Sequence, residues 1–107
     1  MYGYKNISPE EFEKGIQNDP NAVILDVRTD AEYADEHIPG SIQINIMGPD
    51  FPQRIAELDK SKAYYVYCRS GNRSGSACGF MASQGFSELY NLGTGIMGWK
   101  GEVASNY

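Results

Sequence analysis

Histidine is almost missing from this chain: His37 is the only one in 107 residues. It sits in a turn far along the sequence from either cysteine, so a cysteine nucleophile here must be activated by something else. Cysteine is scarce as well. Cys68 and Cys78 lie ten residues apart, which fits neither a zinc-binding nor a thioredoxin-like spacing. Basic residues are few, nine against fourteen acidic, for a formal net charge of −5. General nucleic-acid binding and docking on anionic membranes both need a basic footprint, so neither is expected. A small positive pocket on an acidic surface remains open. No run of 18 apolar residues occurs, so no transmembrane helix is expected. The opening MYGYKNISPEEF lacks the basic and apolar regions of a signal peptide, which makes the cytoplasm the expected compartment, with both cysteines as thiols. No internal repeat or linker interrupts the chain. The length suits a single domain over residues 1–107, able to bury one core without disulfides, with 103–107 as a loose tail.

What is present is an alternation of strand and helix signals. A short strand is expected over Tyr4–Ile7. Ser8-Pro9-Glu10-Glu11 reads as an N-cap, a proline in the first turn and a capping box, opening a helix that ends near Asn18. Ala22–Val27 is a continuous apolar run of the kind buried on both faces of a parallel sheet. Thr29-Asp30-Ala31-Glu32 is a second capping box, for a short helix to about Glu36. After the turn His37–Gly40, a strand is expected over Ile42–Ile46 and a helix over Phe51–Leu58. Ala63–Tyr67 is the fourth strand and Arg73–Gln84 a helix closed by Gly85 as a left-handed residue. Phe86–Leu92 is the fifth strand, followed by a loop and a short helix near Ile96–Lys100. Strands and helices alternating with short connections predict an α/β fold, an α/β/α sandwich around a five-stranded parallel sheet. The eight tyrosines are spread along the chain and read as packing and surface.

The stretch Cys68-Arg69-Ser70-Gly71-Asn72-Arg73-Ser74 joins the fourth strand to its helix. In open parallel sheets, ligands bind beyond the carboxyl ends of the strands. Three effects meet at the Cys68 sulfur there: the unpaired N–H groups and dipole of a helix start, a glycine-bearing loop able to curl its amides into an anion nest, and two permanent positive charges, Arg69 and Arg73. All three favour thiolate, so Cys68 is expected ionised at neutral pH and open to solvent. The same cradle suits an anion such as thiosulfate, sulfate or phosphate. It is an activated nucleophile that needs no histidine, and nothing in the pattern asks for a cofactor or a metal.

Three segments then resemble one family, the single-domain rhodaneses, which are sulfurtransferases. Val23–Arg28 with Glu32-Tyr33 and His37–Ile42 resembles the first signature of that family. Tyr67–Ser74 resembles its active-site loop, and Asn91–Trp99 its glycine-rich C-terminal segment. The resemblance implies a double displacement. Cys68 takes the outer sulfur of a small anionic donor such as thiosulfate, becomes a persulfide, and passes the sulfur to cyanide, a small thiol or a protein thiol. It implies that the amides from Arg69 to Arg73 hold the transferred sulfur, and that Arg69 and Arg73 bind the donor, with Ser70, Gly71, Asn72 and Ser74 completing the substrate site. Asp26 and Arg28 would organise the loop. Related phosphatases place five residues between Cys and Arg; here there are four, which tightens the pocket against phosphate. The arginine after Cys68 is closer to thiosulfate-using than to mercaptopyruvate-using relatives. The chain is expected to act as a monomer.

Blander readings stand beside these. Arg28 is expected to pair with Glu32, His37 to bond within its turn, and Cys78, Met97 and Trp99 to serve packing. The Ser74 hydroxyl could point to the anion or satisfy the first helical turn. A regulatory module that only docks partners, or a relay fed by a partner's persulfide, are the competing functions.

Overall fold

The structure, a computed structural model, describes residues 3–107. Its strands are Lys5–Ile7 (β1), Val23–Asp26 (β2), Ile42–Gln43 (β3), Ala63–Tyr67 (β4) and Glu88–Leu92 (β5). Its helices are Pro9–Asn18 (α1), Asp30–Asp35 (α2), Phe51–Ala56 (α3) and Asn72–Ser83 (α4), with a 3₁₀ turn at Ile96–Gly98. The strands form one sheet in the order β1-β5-β4-β2-β3, and every neighbouring pair is parallel. The expected α/β class and five-stranded parallel sheet are therefore observed.

β4 is the central strand, and all five of its residues are buried. Successive side chains of a strand point to opposite faces. Tyr64, Val66 and then Cys68 face the side covered by α3 and α4, where Phe51, Ile55, Ala77, Cys78 and Met81 complete the core. Ala63, Tyr65 and Tyr67 face the side covered by α1, with Phe12, Ile38 and Leu92. Phe12 is fully buried and meets Tyr65, Tyr67 and Trp99 edge-on, at centroid distances of 5.4, 6.5 and 5.6 Å. Burying such a side chain stabilises the fold by about 1.5–3 kcal/mol, and here it clamps α1 to the centre of the sheet.

Local signals fix the ends. Both capping boxes form, Ser8 with Glu11 and Thr29 with Glu32. Gly85 has φ 97°, as its place after α4 requires. Several boundaries differ from expectation: β1 starts at Lys5, β2 loses one residue at each end, β5 starts two residues late at Glu88 and α4 ends one residue early at Ser83. β3 stops at Gln43 because Asn45 Oδ1 accepts the Met47 N–H at 2.9 Å and turns the chain. The backbone still follows β2 through Ile44 N–H to Asp26 and Ile46 N–H to Val27. α3 ends at Ala56, two residues early, and α4 begins at Asn72, one residue early. The Ile96–Lys100 helix is a single 3₁₀ turn. Trp99 packs as expected, but Met97 is 68% exposed, because that turn is too short to point both inward. The tail is not loose at every position: Ala104 and His37 exchange backbone bonds of 2.8 and 2.9 Å, and Asn106 N–H reaches the Ala34 carbonyl at 2.8 Å. The His37 ring stacks on Tyr33, centroids 3.9 Å apart, beneath this strap.

Candidate active site

Cys68 follows the last residue of β4, and the chain from there to Asn72 folds around its sulfur. Gly71 N–H donates to Sγ at 3.1 Å and the Ser74 hydroxyl at 3.3 Å. Ser74 is fully buried, and its hydroxyl serves the Cys68 sulfur itself, a role that differs from both the bond to a bound anion and the bond to the first helical turn open from sequence. Burial by itself would raise the thiol pKa. The Ser74 hydroxyl and the N–H groups of Ser74, Gly71 and Ser70 outweigh it and bring Cys68 below the ordinary thiol value, since hydrogen bonds to the charged form favour it. The leading contributors are thus the Ser74 hydroxyl and main-chain amides of the kind the sequence pattern anticipates, ahead of the two guanidinium groups. Cys68 is 1% exposed, which corrects the expectation of an open sulfur. It lies on the floor of the loop, because its side chain continues the buried face of β4.

Glycine makes this curl possible. Gly71 has φ 102°, and a Cβ there would overlap the Gly93 carbonyl oxygen. Gly95 has φ 66°, and a Cβ there would overlap the Arg69 carbonyl. The loop after β5 therefore lies backbone against backbone on the Cys68 loop. Ile96 N–H donates to the Cys68 carbonyl at 2.9 Å and Met97 N–H to that of Arg69 at 3.2 Å.

Three of the four arginines stand near the loop and have different tasks. Arg28 is 4% exposed and Asp26 fully buried. They pair through Nε to Oδ1 at 3.0 Å and Nη2 to Oδ2 at 2.7 Å, with the guanidinium over the Tyr67 ring, 5.4 Å from its centroid. Both therefore reach the loop through the residue preceding Cys68. The expected Arg28–Glu32 pair does not form, because Glu32 turns toward α4 and takes a two-pronged bond from Arg73 at 2.8 and 2.9 Å. That bond is the main cause holding the Glu32 carboxyl down at about 2. Sequence reasoning missed this link, because the two residues stand 41 positions apart and no local signal joins them. Arg69 is exposed, and its guanidinium has no ion-pair partner among the described residues. It borders an open cleft of about 440 Å³ shared with Arg28, Glu32, Met97 and Trp99. Ser70 and Asn72 are exposed on the rim.

Cys78 lies in the core on α4, fully buried, where burial pushes its thiol up to about 12. Among the described residues no group of three His, Cys, Asp or Glu is placed to hold a metal ion, and no helix is long and apolar enough to cross a membrane.

Comparison with known proteins shows the family and the fold. Residues 8–102 match the family model of the rhodanese-like domain. The chain is 40% identical over 99 residues to YtwF of Bacillus subtilis (strain 168), covering 92% of this chain and 93% of that one. It is 35% identical over 101 residues to the thiosulfate sulfurtransferase GlpE of Pseudomonas savastanoi pv. phaseolicola (strain 1448A / Race 6), covering 94% and 91%. The crystal structure of a rhodanese-like domain protein from Staphylococcus aureus superposes with a TM-score of 0.83 at 26% identity, covering 96% of this chain and 99% of that one. Alike in sequence and in fold over nearly its whole length, the chain belongs to the rhodanese-like domain family of sulfurtransferases.

Proposed function

We propose that the protein moves sulfane sulfur from thiosulfate, or a similar small anionic donor, to a thiol through a persulfide on Cys68. The thiolate attacks the outer sulfur of the donor. A new S–S bond forms at Cys68, the donor's own S–S bond breaks, and sulfite leaves with the electron pair. An acceptor thiolate then attacks the terminal sulfur and carries it away, and Cys68 returns to thiolate. No electrons are gained or lost overall.

The observation that carries this reading is the set of donors on one buried sulfur, the Ser74 hydroxyl and the Gly71 N–H at 3.3 and 3.1 Å. It keeps a nucleophile charged without a histidine. A terminal sulfur on Cys68 would meet the amides from Arg69 to Arg73. The exposed guanidinium of Arg69 is the group free to take the donor's sulfonate and the departing sulfite. Arg73, held by Glu32, fixes the helix end of the loop and adds charge behind it. Ser70 and Asn72 border the entry.

The test is to incubate the protein with thiosulfate, remove the excess and weigh the intact chain. A gain of one sulfur atom, discharged by cyanide and missing in Cys68→Ser, is expected. No gain from thiosulfate, but a gain from a persulfide donor, would instead favour a relay; no gain from either would favour a docking module.

A further inference from the structure

Asn91 lies on β5 beside the loop and is 3% exposed. Its side-chain amide gives away both hydrogens, one to Asn6 Oδ1 at 2.9 Å and one to the Gly71 carbonyl at 3.1 Å. Its own Oδ1 is buried and meets no donor among the described residues. Buried acceptors are seldom left so. A flipped amide would set its oxygen against the Gly71 carbonyl, which cannot donate, so the orientation is forced by Gly71.

Gly71 is the residue whose N–H reaches the Cys68 sulfur. Its carbonyl, on the following peptide, also accepts the Gly75 N–H at 3.1 Å. Asn91 thus adds a second donor to the peptide on one side of Gly71, while the peptide on the other side aims at sulfur. With φ at 102°, Gly71 has no side chain of its own to resist rotation. Asn6 faces Asn91 in the register of β1 with β5 and braces the amide from the sheet edge.

We propose that Asn91, braced by Asn6, is a positioning residue for Cys68, holding Gly71 in the conformation that keeps its N–H on the sulfur. Its importance for turnover rests on the reading of Cys68 as nucleophile; its effect on the thiolate does not. Asn91→Leu keeps a similar volume, removes both donors and removes the orphaned acceptor with them. A residue needed only for packing would leave the thiolate alone. A positioning residue dissociates the two properties: the fold is as stable or more so, and the thiol is harder to ionise.

The experiment is the pH dependence of the iodoacetamide alkylation rate, read by intact mass, in parallel with thermal unfolding. Cys78 stays silent, being buried with a raised pKa. In Asn91→Leu the midpoint is expected to rise by about half a unit or more, as loss of a hydrogen bond to the charged form requires, with the unfolding temperature unchanged or higher. Asn6→Ala is expected to give a smaller rise in the same direction. Asn91→Ala serves if the leucine variant fails to fold. A folded Asn91 variant that titrates within about 0.2 unit of the wild type, itself depressed below about 8.5, overturns the proposal and leaves the nucleophile reading standing. A wild-type midpoint at the ordinary thiol value overturns both.

Discussion

Replacing Ser74 by alanine tests most directly how the sulfur is kept charged. The hydroxyl is buried, sits 3.3 Å from Sγ and stands first among the groups that lower the Cys68 pKa. A hydrogen bond to a charged group contributes about 1.5–3 kcal/mol, and one pKa unit corresponds to about 1.36 kcal/mol. Full loss would therefore raise the midpoint by about one to two units. The amides of Ser74, Gly71 and Ser70 remain, so the expected rise is about one unit. The alkylation rate of Cys68 against pH reads it directly. Stability should echo it. The folded thiol titrates below the unfolded one, so its ionisation adds stability as pH rises from the folded midpoint to about 8.5, and that gain disappears as pH falls back through the folded midpoint. In Ser74→Ala the gain is expected to shrink, and the difference between the two proteins to narrow once pH falls below the wild type's own folded midpoint. A variant with the midpoint of the wild type, or a lower one, would refute the hydroxyl as a thiolate donor.

Two further perturbations follow from the same geometry. Gly71→Ala must strain a left-handed position and displace the Gly93 carbonyl; a stability loss of at least about 1–2 kcal/mol in urea and loss of persulfide loading are expected, and normal loading would contradict the glycine argument. Glu32 titrates at about 2 because of Arg73, below its ordinary value of about 4.3, so the stability it contributes is complete above the ordinary value and drains away as pH falls toward 2. Glu32→Gln is expected to flatten this acid limb in urea midpoints taken from pH 6 to pH 2.5, and an unchanged limb would show that the pair is of no consequence.

Most of the architecture was legible because local signals agreed with global ones. Two capping boxes, a helix-stop glycine and the continuous apolar runs around Leu25 and Val66 each specify an element without reference to the rest. Cys68 was legible for the same reason: a strand end, a glycine and a helix start lie within a few residues of it. Partners distant in the chain were not legible. Arg73 finds Glu32 from 41 positions away, and Asn6 finds Asn91 across 85; neither separation leaves a periodic trace. The burial of Cys68 was missed because a loop position looks exposed in sequence, whereas its side chain extends the inward face of β4. The short β3 and the pinned Ala104 depend on an asparagine turn and on a neighbouring backbone, which composition does not report.

The wall between the loops after β4 and β5 is built from bare peptide at Gly71, Gly93 and Gly95. Such a wall has no side chains to exchange, so its shape is set by how the main chain is routed. Amino-acid replacement at Gly71 or Gly95 can only damage it. Arg69, Ser70 and Asn72, which project outward from the rim, are where evolution or a protein engineer could rewrite what the protein recognises while leaving the sulfur's bed untouched.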